Sequence, residues 1–145
     1  VENFSEPDEP FIVHYHYTVE GGELSPEKIF LNPLENLIPA DNPFKQTFRR
    51  HPVDLQYVRH GNFIASVKIP QGYEVEHLPQ NKARKHSGLV YEYAACIEEG
   101  TVKVNAQYAL ASSFAARDYL LLKDFYGDII SKFSEAVVFR KKDVE

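Results

Sequence analysis

The sequence predicts a mostly β fold: an antiparallel β-sandwich, immunoglobulin-like or related, with one C-terminal amphipathic α-helix and a short closing strand. Three observations support this prediction. Apolar and polar residues alternate with a period of two along most of the chain, and turn residues separate about eight such stretches. The period changes to that of a helix once, near the C-terminus. A parallel α/β fold would instead need a helix between successive strands.

Length and composition narrow the range of functions. The 145 residues correspond to one domain of ordinary size, and the 43% hydrophobic content argues against disorder. No apolar run approaches the roughly 18 residues of a membrane span, so we expect no membrane insertion. The single cysteine excludes a disulfide framework within the chain, and the net charge of −5 argues against a nucleic-acid partner. Because the chain begins at Val1 without a leader, we expect it to be part of a longer protein.

Charge is distributed unevenly along the chain. Residues 1–43 carry nine acidic side chains and one lysine, whereas residues 44–145 carry fifteen basic and twelve acidic ones. We therefore predict an acidic N-terminal segment, 1–43, with one or two strands packed on a sandwich formed by 44–145. Two basic clusters follow, which we call the first and the second basic cluster: Lys45, Arg49, Arg50, His51, Arg59 and His60; then Lys82, Arg84, Lys85 and His86. We predict that both clusters are solvated loops, able to dock onto the acidic segment, and an acidic-ligand site is the alternative.

The first elements are strands followed by a long irregular stretch. Alternation from Phe11 to Val19 predicts a half-buried strand that ends at the following glycines, and a second short strand is predicted at 28–31. Asparagine and proline are frequent at 32–43 and interrupt regular structure there. This stretch is either a linker or a surface loop, and its spaced apolar residues favour the loop.

Several short strands are predicted in the middle of the chain. Alternation indicates strands over 53–57 and 63–69, and a corner at Pro70-Gln71-Gly72 leads into another strand over 73–78. The polar run at 80–87 is predicted to be a loop.

Two longer strands then form a predicted hairpin. A two-residue loop at Glu99-Gly100 pairs Ile97 with Val102 and matches apolar residues along both strands. A three-residue loop would shift the register by one and set the tyrosines against polar residues. A four-residue loop that keeps the first pairing is equally compatible with the pattern.

The single predicted helix spans 115–134. Apolar residues recur there with i, i+3/i+4 and i+7 spacing, which gives one buried face. Ser112 or Ser113 is predicted to cap its N-terminus by accepting a hydrogen bond from a free backbone amide. A closing strand is predicted at Val137–Phe139.

Candidate chemical sites are few. His14 and His16 share one face of the first predicted strand and are the candidate zinc ligands, but no third ligand is identifiable, so we predict an ordinary polar sheet face and no metal site. Cys96 is predicted to lie mid-strand opposite Lys103, where little would lower its pKa, so it is not expected to be a nucleophile. No paired acid and base or phosphate-binding glycine loop is visible, and we predict no catalytic residue and no cofactor.

Aromatic residues offer a possible binding surface. The chain has nine tyrosines and ten phenylalanines, and most tyrosines fall on predicted inward faces. Tyr119 and Tyr126, on the flank of the helix, are predicted to be partly exposed. Stacking of a sugar on such rings makes a carbohydrate- or peptide-binding module the alternative function.

Three short motifs and the helix with its closing strand occur in an order that resembles a known family. The motifs are Asn42–Lys45, Arg50–Asp54 and Ile69–Pro79. They resemble a family of uncharacterised bacterial domains that lie at the C-terminal end of proteins with a central transglutaminase-like domain, over about residues 42–142. The first forty residues resemble the segment between the two domains.

The resemblance implies a noncatalytic accessory domain of an exported protein, in the periplasm or at the cell surface. It implies that a catalytic Cys-His-Asp domain lies upstream and is the partner of this domain, with a cell-surface glycan or peptide as a further partner. No residue of that triad corresponds to a position in this chain.

Overall fold

A computed structural model describes residues 1–14, 16 and 27–143. In order, the chain forms β1 Lys28–Leu31, β2 Val53–Asp54, β3 Arg59–Lys68, β4 Tyr73–His77, β5 Lys82–His86, β6 Leu89–Glu98, β7 Thr101–Leu110, β8 Ser113–Phe114, α1 Tyr119–Phe133 and β9 Val137–Lys141, with a short 3-10 helix before α1. Of the strand predicted from Phe11 to Val19, residues 11–14 and 16 are described and form only an isolated bridge, between Ile12 and Glu2, whereas 15 and 17–19 lie outside the described residues. None of the described helices is long and apolar enough to cross a membrane.

The larger sheet has four antiparallel strands in the order β3-β7-β6-β5. Its central hairpin confirms the predicted two-residue loop, because Ile97 pairs with Val102 and Cys96 with Lys103. Glu99 and Gly100 both have positive φ, 48° and 72°, which the tight turn between two twisted strands requires. Apolar side chains of β6 and β7 therefore share one face of the sheet.

The stretch predicted as a polar loop at 80–87 is instead mostly a strand. β5 pairs along its whole length with β6 and forms one edge of the larger sheet. The prediction was wrong because β5 has almost no apolar residue to reveal its alternation. Charged side chains are common on edge strands, which they protect against pairing with other chains.

The described residues form two further, smaller sheets. β1, β9 and β4 form a three-stranded antiparallel sheet with β9 in the centre, and this confirms the predicted closing strand. β2 pairs with β8 over two residues. β2 is shorter than predicted because Gln56, just after it, has a positive φ of 67° and donates its backbone N–H to the Asp54 carboxylate at 2.7 Å.

The core lies between the inner face of the larger sheet and α1. The ring centroid of Tyr91 is 5.4 Å from that of Phe125 and 6.1 Å from that of Phe133, and all three side chains are fully buried. Val137 and Phe139 of the three-stranded sheet join the same core. Several antiparallel sheets with a late helix are thus confirmed, whereas two sheets stacked as an immunoglobulin-like sandwich are not established.

The helix confirms the predicted amphipathic pattern but begins later. α1 starts at Tyr119 with Asp118 at the N-cap position, and no side chain caps it. The predicted serine cap is wrong, because Ser113 is part of β8 and the 3-10 helix intervenes. Tyr119 is 2% exposed, so its predicted partial exposure is also wrong.

Candidate functional site

Two cationic residues of the second basic cluster face helix α1. Lys82 Nζ lies 2.6 Å from Asp128 Oδ1, and Arg84 contacts Asp128 at 3.3 Å and Asp124 at 2.9 Å. The hydroxyl of Tyr91 also donates to Asp128 Oδ2, at 2.6 Å. We call these five residues the helix–sheet ion network, since they join α1 to strands β5 and β6.

The network fixes its own protonation states. Burial by itself would raise the pKa of Asp128, but hydrogen bonds from Lys82 and Tyr91 outweigh it and lower the pKa below its usual value. The hydrogen bond that Lys82 donates to Asp128 raises the pKa of Lys82. Burial, and to a smaller extent its own hydrogen bond to Asp128, raise the pKa of Tyr91. At neutral pH the carboxylate is charged and its donors are protonated. Such an arrangement stabilises the fold and is poorly suited to proton transfer.

A cleft of about 520 Å³ lies above this network, and its walls are contributed by Asn42, Arg84, Leu120, Lys123, Asp124, Gly127 and Asp128. Asn42 donates its side-chain amide to the carbonyl of Lys123 at 2.8 Å, and Lys123 Nζ donates to the carbonyl of Gln46 at 2.9 Å. These bonds attach the loop after residue 41 to α1. The polar groups on this wall therefore already have partners within the fold.

The first basic cluster differs, because its arginines have no carboxylate partner in the described part of the chain. Lys45 forms an exposed pair with Asp41 at 3.8 Å. Arg49 lies 5.8 Å from the ring centroid of Tyr119, and Arg59 lies 5.2 Å from that of Tyr57. Cation–π contacts leave the donors at the edge of a guanidinium available.

Next to this cluster is a cavity of about 190 Å³, which we call the aromatic pocket. It is lined by Pro43, Phe44, Leu55, Arg59, Tyr108, Leu110 and Tyr126. The bonds between the loop and α1 hold Phe44 in place, with its ring edge-to-face at 5.5 Å from Tyr126. Gly61 allows the Tyr108 ring to lie against strand β3, since a Cβ at position 61 would be 2.6 Å from that ring.

The aromatic pocket combines apolar walls with a few polar groups. Tyr126 is half-buried, as predicted. Burial, and to a smaller extent the nearby Tyr108 hydroxyl, raise the pKa of Tyr126. Neither hydroxyl has a hydrogen-bond partner among residues 1–14, 16 and 27–143. Arg59 supplies a positive charge at the rim. Apolar walls with a small number of polar groups are typical of binding sites for small ligands or side chains.

The predicted chemical residues remain dispersed. His14 hydrogen-bonds with Glu2 at 2.8 Å, and no group of three or more potential metal ligands occurs in the described residues. Cys96 is exposed on the outer face of the larger sheet, opposite Lys103, as predicted.

Sequence reasoning missed the aromatic pocket because its walls come from distant parts of the chain. Phe44 is in a loop, Arg59 and Tyr108 are on neighbouring strands, and Tyr126 is on α1. The first basic cluster, which includes Arg59 and follows Phe44 directly, and the predicted partial exposure of Tyr126 were the sequence signals at this location.

Comparisons with known proteins place the fold in a family. DUF3858, described as a domain of unknown function with solved structure, matches residues 27–139. A crystal structure described as that of a putative protease from Parabacteroides distasonis has a TM-score of 0.63 at 10% sequence identity, a likeness in fold alone. It covers 80% of this chain, which spans only 24% of that protein. No curated protein matches. Because the family covers most of its length, the chain belongs to the DUF3858 domains of unknown function.

Proposed function

We propose that this chain is a noncatalytic accessory domain of a longer exported bacterial protein, where it positions or stabilises a transglutaminase-like neighbour. The observation that carries the proposal is the structural relative, in which a similar fold makes up about a quarter of a longer protein described as a putative protease. The resemblance of the three motifs to domains that follow a transglutaminase-like domain supplies the identity of the neighbour.

The site supports an accessory role. In the wall of the 520 Å³ cleft, Asp124 and Asp128 pair with Arg84, and Lys123 donates to a backbone carbonyl. The lowered pKa of Asp128 keeps its carboxylate charged at neutral pH. A general acid or base would need a group that exchanges its proton near neutral pH. Cys96 lies near the end of β6 on an exposed face rather than in a cleft, and the carboxylate 3.9 Å from its thiol, that of Glu98, is paired with Lys103.

The test is to express the parent reading frame with and without residues 27–143. The proposal expects an upstream Cys-His-Asp domain whose thermal unfolding temperature falls when the accessory domain is removed. The isolated chain should show no transamidase or protease activity. Activity of the isolated chain that disappears in Cys96→Ala would overturn the proposal, and so would a parent protein without such a catalytic domain.

A carbohydrate- or peptide-binding module is the second candidate, and the aromatic pocket is the observation that favours it. Half-buried rings with free hydroxyls can stack on a sugar or enclose a side chain. Glycan and peptide arrays probed with the chain and with Tyr126→Ala test this function. Binding lost in Tyr126→Ala supports it, whereas no binding, or equal binding by both proteins, contradicts it.

A further inference from the structure

The beginning of the chain forms a small acidic loop with exposed aromatic rings. Backbone hydrogen bonds between Glu2 and Ile12, at 2.8 and 3.3 Å, close the loop. Phe4 is 82% and Phe11 60% exposed, and their ring centroids are 6.2 Å apart. Residues 1–12 carry four acidic side chains and no lysine or arginine. They lie outside the part of the chain that the family matches, 27–139.

This acidic loop and the aromatic pocket have complementary chemistry. The pocket offers apolar walls next to arginines without carboxylate partners in the described residues, whereas the loop offers exposed rings surrounded by carboxylates. Burying a phenyl ring removes apolar surface from water, and carboxylates beside Arg59 gain charge-assisted hydrogen bonds.

Size also agrees. An apolar cavity of about 150 Å³ can hold a benzene molecule, so the 190 Å³ pocket is large enough for one phenyl ring. Phe44 and Tyr126, already edge-to-face at 5.5 Å, present ring faces and edges with which a further ring can pack.

We propose that the aromatic pocket binds an acidic peptide segment through a phenylalanine ring, and that the segment is residues 1–12 of a second copy of this chain. A second copy is chosen because the loop of one chain is exposed and its rings contact each other rather than the pocket. The inference rests on the second candidate function and narrows its ligand to an acidic, phenylalanine-containing peptide.

The direct test uses an acetylated, fluorescently labelled peptide of residues 1–12. The binding partner is the full chain carrying Phe4→Ala and Phe11→Ala, so that its own loop does not compete. We expect saturable fluorescence anisotropy that weakens when salt rises from about 50 to about 300 mM, because exposed charges become screened. A peptide with both phenylalanines replaced by alanine should not bind.

Pocket variants locate the binding. Tyr126→Ala should weaken binding at least about tenfold, as expected for an aromatic wall residue. Arg59→Gln, a surface change that leaves the core intact, should weaken it about fivefold. Lys85→Gln is the matched control, since it removes an exposed charge from the second basic cluster and should leave binding unchanged. If Tyr126→Ala does not fold, Arg59→Gln alone tests whether the peptide binds in the aromatic pocket.

Sedimentation velocity of the unaltered chain identifies the source of the peptide. Association that increases with concentration and is lost in the Phe4→Ala/Phe11→Ala variant supports the second copy. Pocket-dependent peptide binding by a chain that stays monomeric overturns it, and the occupant is then its own loop or another acidic segment. No peptide binding overturns the inference, while array ligands that still require Tyr126 would leave the second candidate function standing.

Discussion

Two buried tyrosines on β6 provide a sharp test of the core. Tyr91 and Tyr93 lie two residues apart on the inner face, with 0% and 1% exposure, and both rings lie about 6 Å from Phe133. They differ at the hydroxyl. Tyr91 donates to Asp128 at 2.6 Å, whereas the Tyr93 hydroxyl is buried without a hydrogen-bond partner in the described part of the chain. Removing each hydroxyl should therefore change stability in opposite directions.

The magnitudes follow from these partners. A buried polar group without a partner costs about 1–3 kcal/mol, so Tyr93→Phe should raise the free energy of unfolding by about 1 kcal/mol or more while the ring contacts remain. A hydrogen bond to a charged group contributes about 1.5–3 kcal/mol, so Tyr91→Phe should lower that free energy by this amount. Urea unfolding followed by circular dichroism at neutral pH measures both.

The alkaline pH dependence adds a second readout. Burial, and to a smaller extent the charge of Glu135, raise the pKa of Tyr93 to about 12. The folded state thus retains a proton that the unfolded chain releases near pH 10, and this contribution to stability is lost as pH rises from about 10 to 12. Tyr93→Phe lacks this loss, so its advantage should be larger at about pH 11 than at neutral pH. A Tyr93→Phe variant that is less stable than the wild-type chain at neutral pH would refute the reasoning.

Three further predictions concern the helix and Cys96. Phe125→Ala should cost about 3–5 kcal/mol on urea unfolding, because the side chain is 0% exposed; a loss below about 1 kcal/mol would mean that α1 is peripheral. Asp128→Asn should cost about 1.5–3 kcal/mol at neutral pH. Since the folded-state pKa of Asp128 is lowered, the stability that its carboxylate contributes is lost at acidic pH. The free energies of unfolding of Asp128→Asn and wild type should therefore converge below about pH 3.8. A difference that stays constant there would contradict the ion pairing of Asp128. Cys96→Ala should change stability by less than about 0.5 kcal/mol, and a larger loss would mean that Cys96 is packed.

Sequence alone predicted those elements in which one face is buried. The hairpin register followed from apolar matching, because a slip by one residue would move Tyr91 and Tyr93 to the opposite face. The helix followed from its apolar stripe. β5 escaped prediction because Lys82 and Arg84, which face α1, are charged. The Arg84 guanidinium lies 4.9 Å from the Phe125 ring centroid and between two carboxylates. A charged side chain with an apolar stem can occupy a position that pattern reading expects to be apolar.

The aromatic pocket could not be predicted for a different reason. Its walls depend on tertiary contacts between a loop, two strands and the helix, and no sequence period connects such segments. Tyr119 illustrates the difficulty: it was expected to be partly exposed on the helix flank, but Phe44 packs edge-to-face on it at 6.2 Å and Arg49 lies over its ring. Packing of Phe44 against Tyr119 and Tyr126 thus determines which ring remains accessible.

The two basic clusters have similar composition in the sequence, and α1 makes them different in the fold. It carries Asp124 and Asp128 four residues apart, on neighbouring turns, where like charges disfavour the isolated helix by about 0.2–0.5 kcal/mol. Arg84 contacts both carboxylates and Lys82 contacts one, so these two residues of the second cluster offset that repulsion and their charges are used within the molecule. No carboxylate of the described residues pairs with Arg59. Binding of an external anionic group is more favourable at a positive charge without a partner, beside an apolar cavity, than at a charge that is already neutralised. This difference makes Arg59, rather than Lys82 or Arg84, the residue at which an acidic partner is expected to bind.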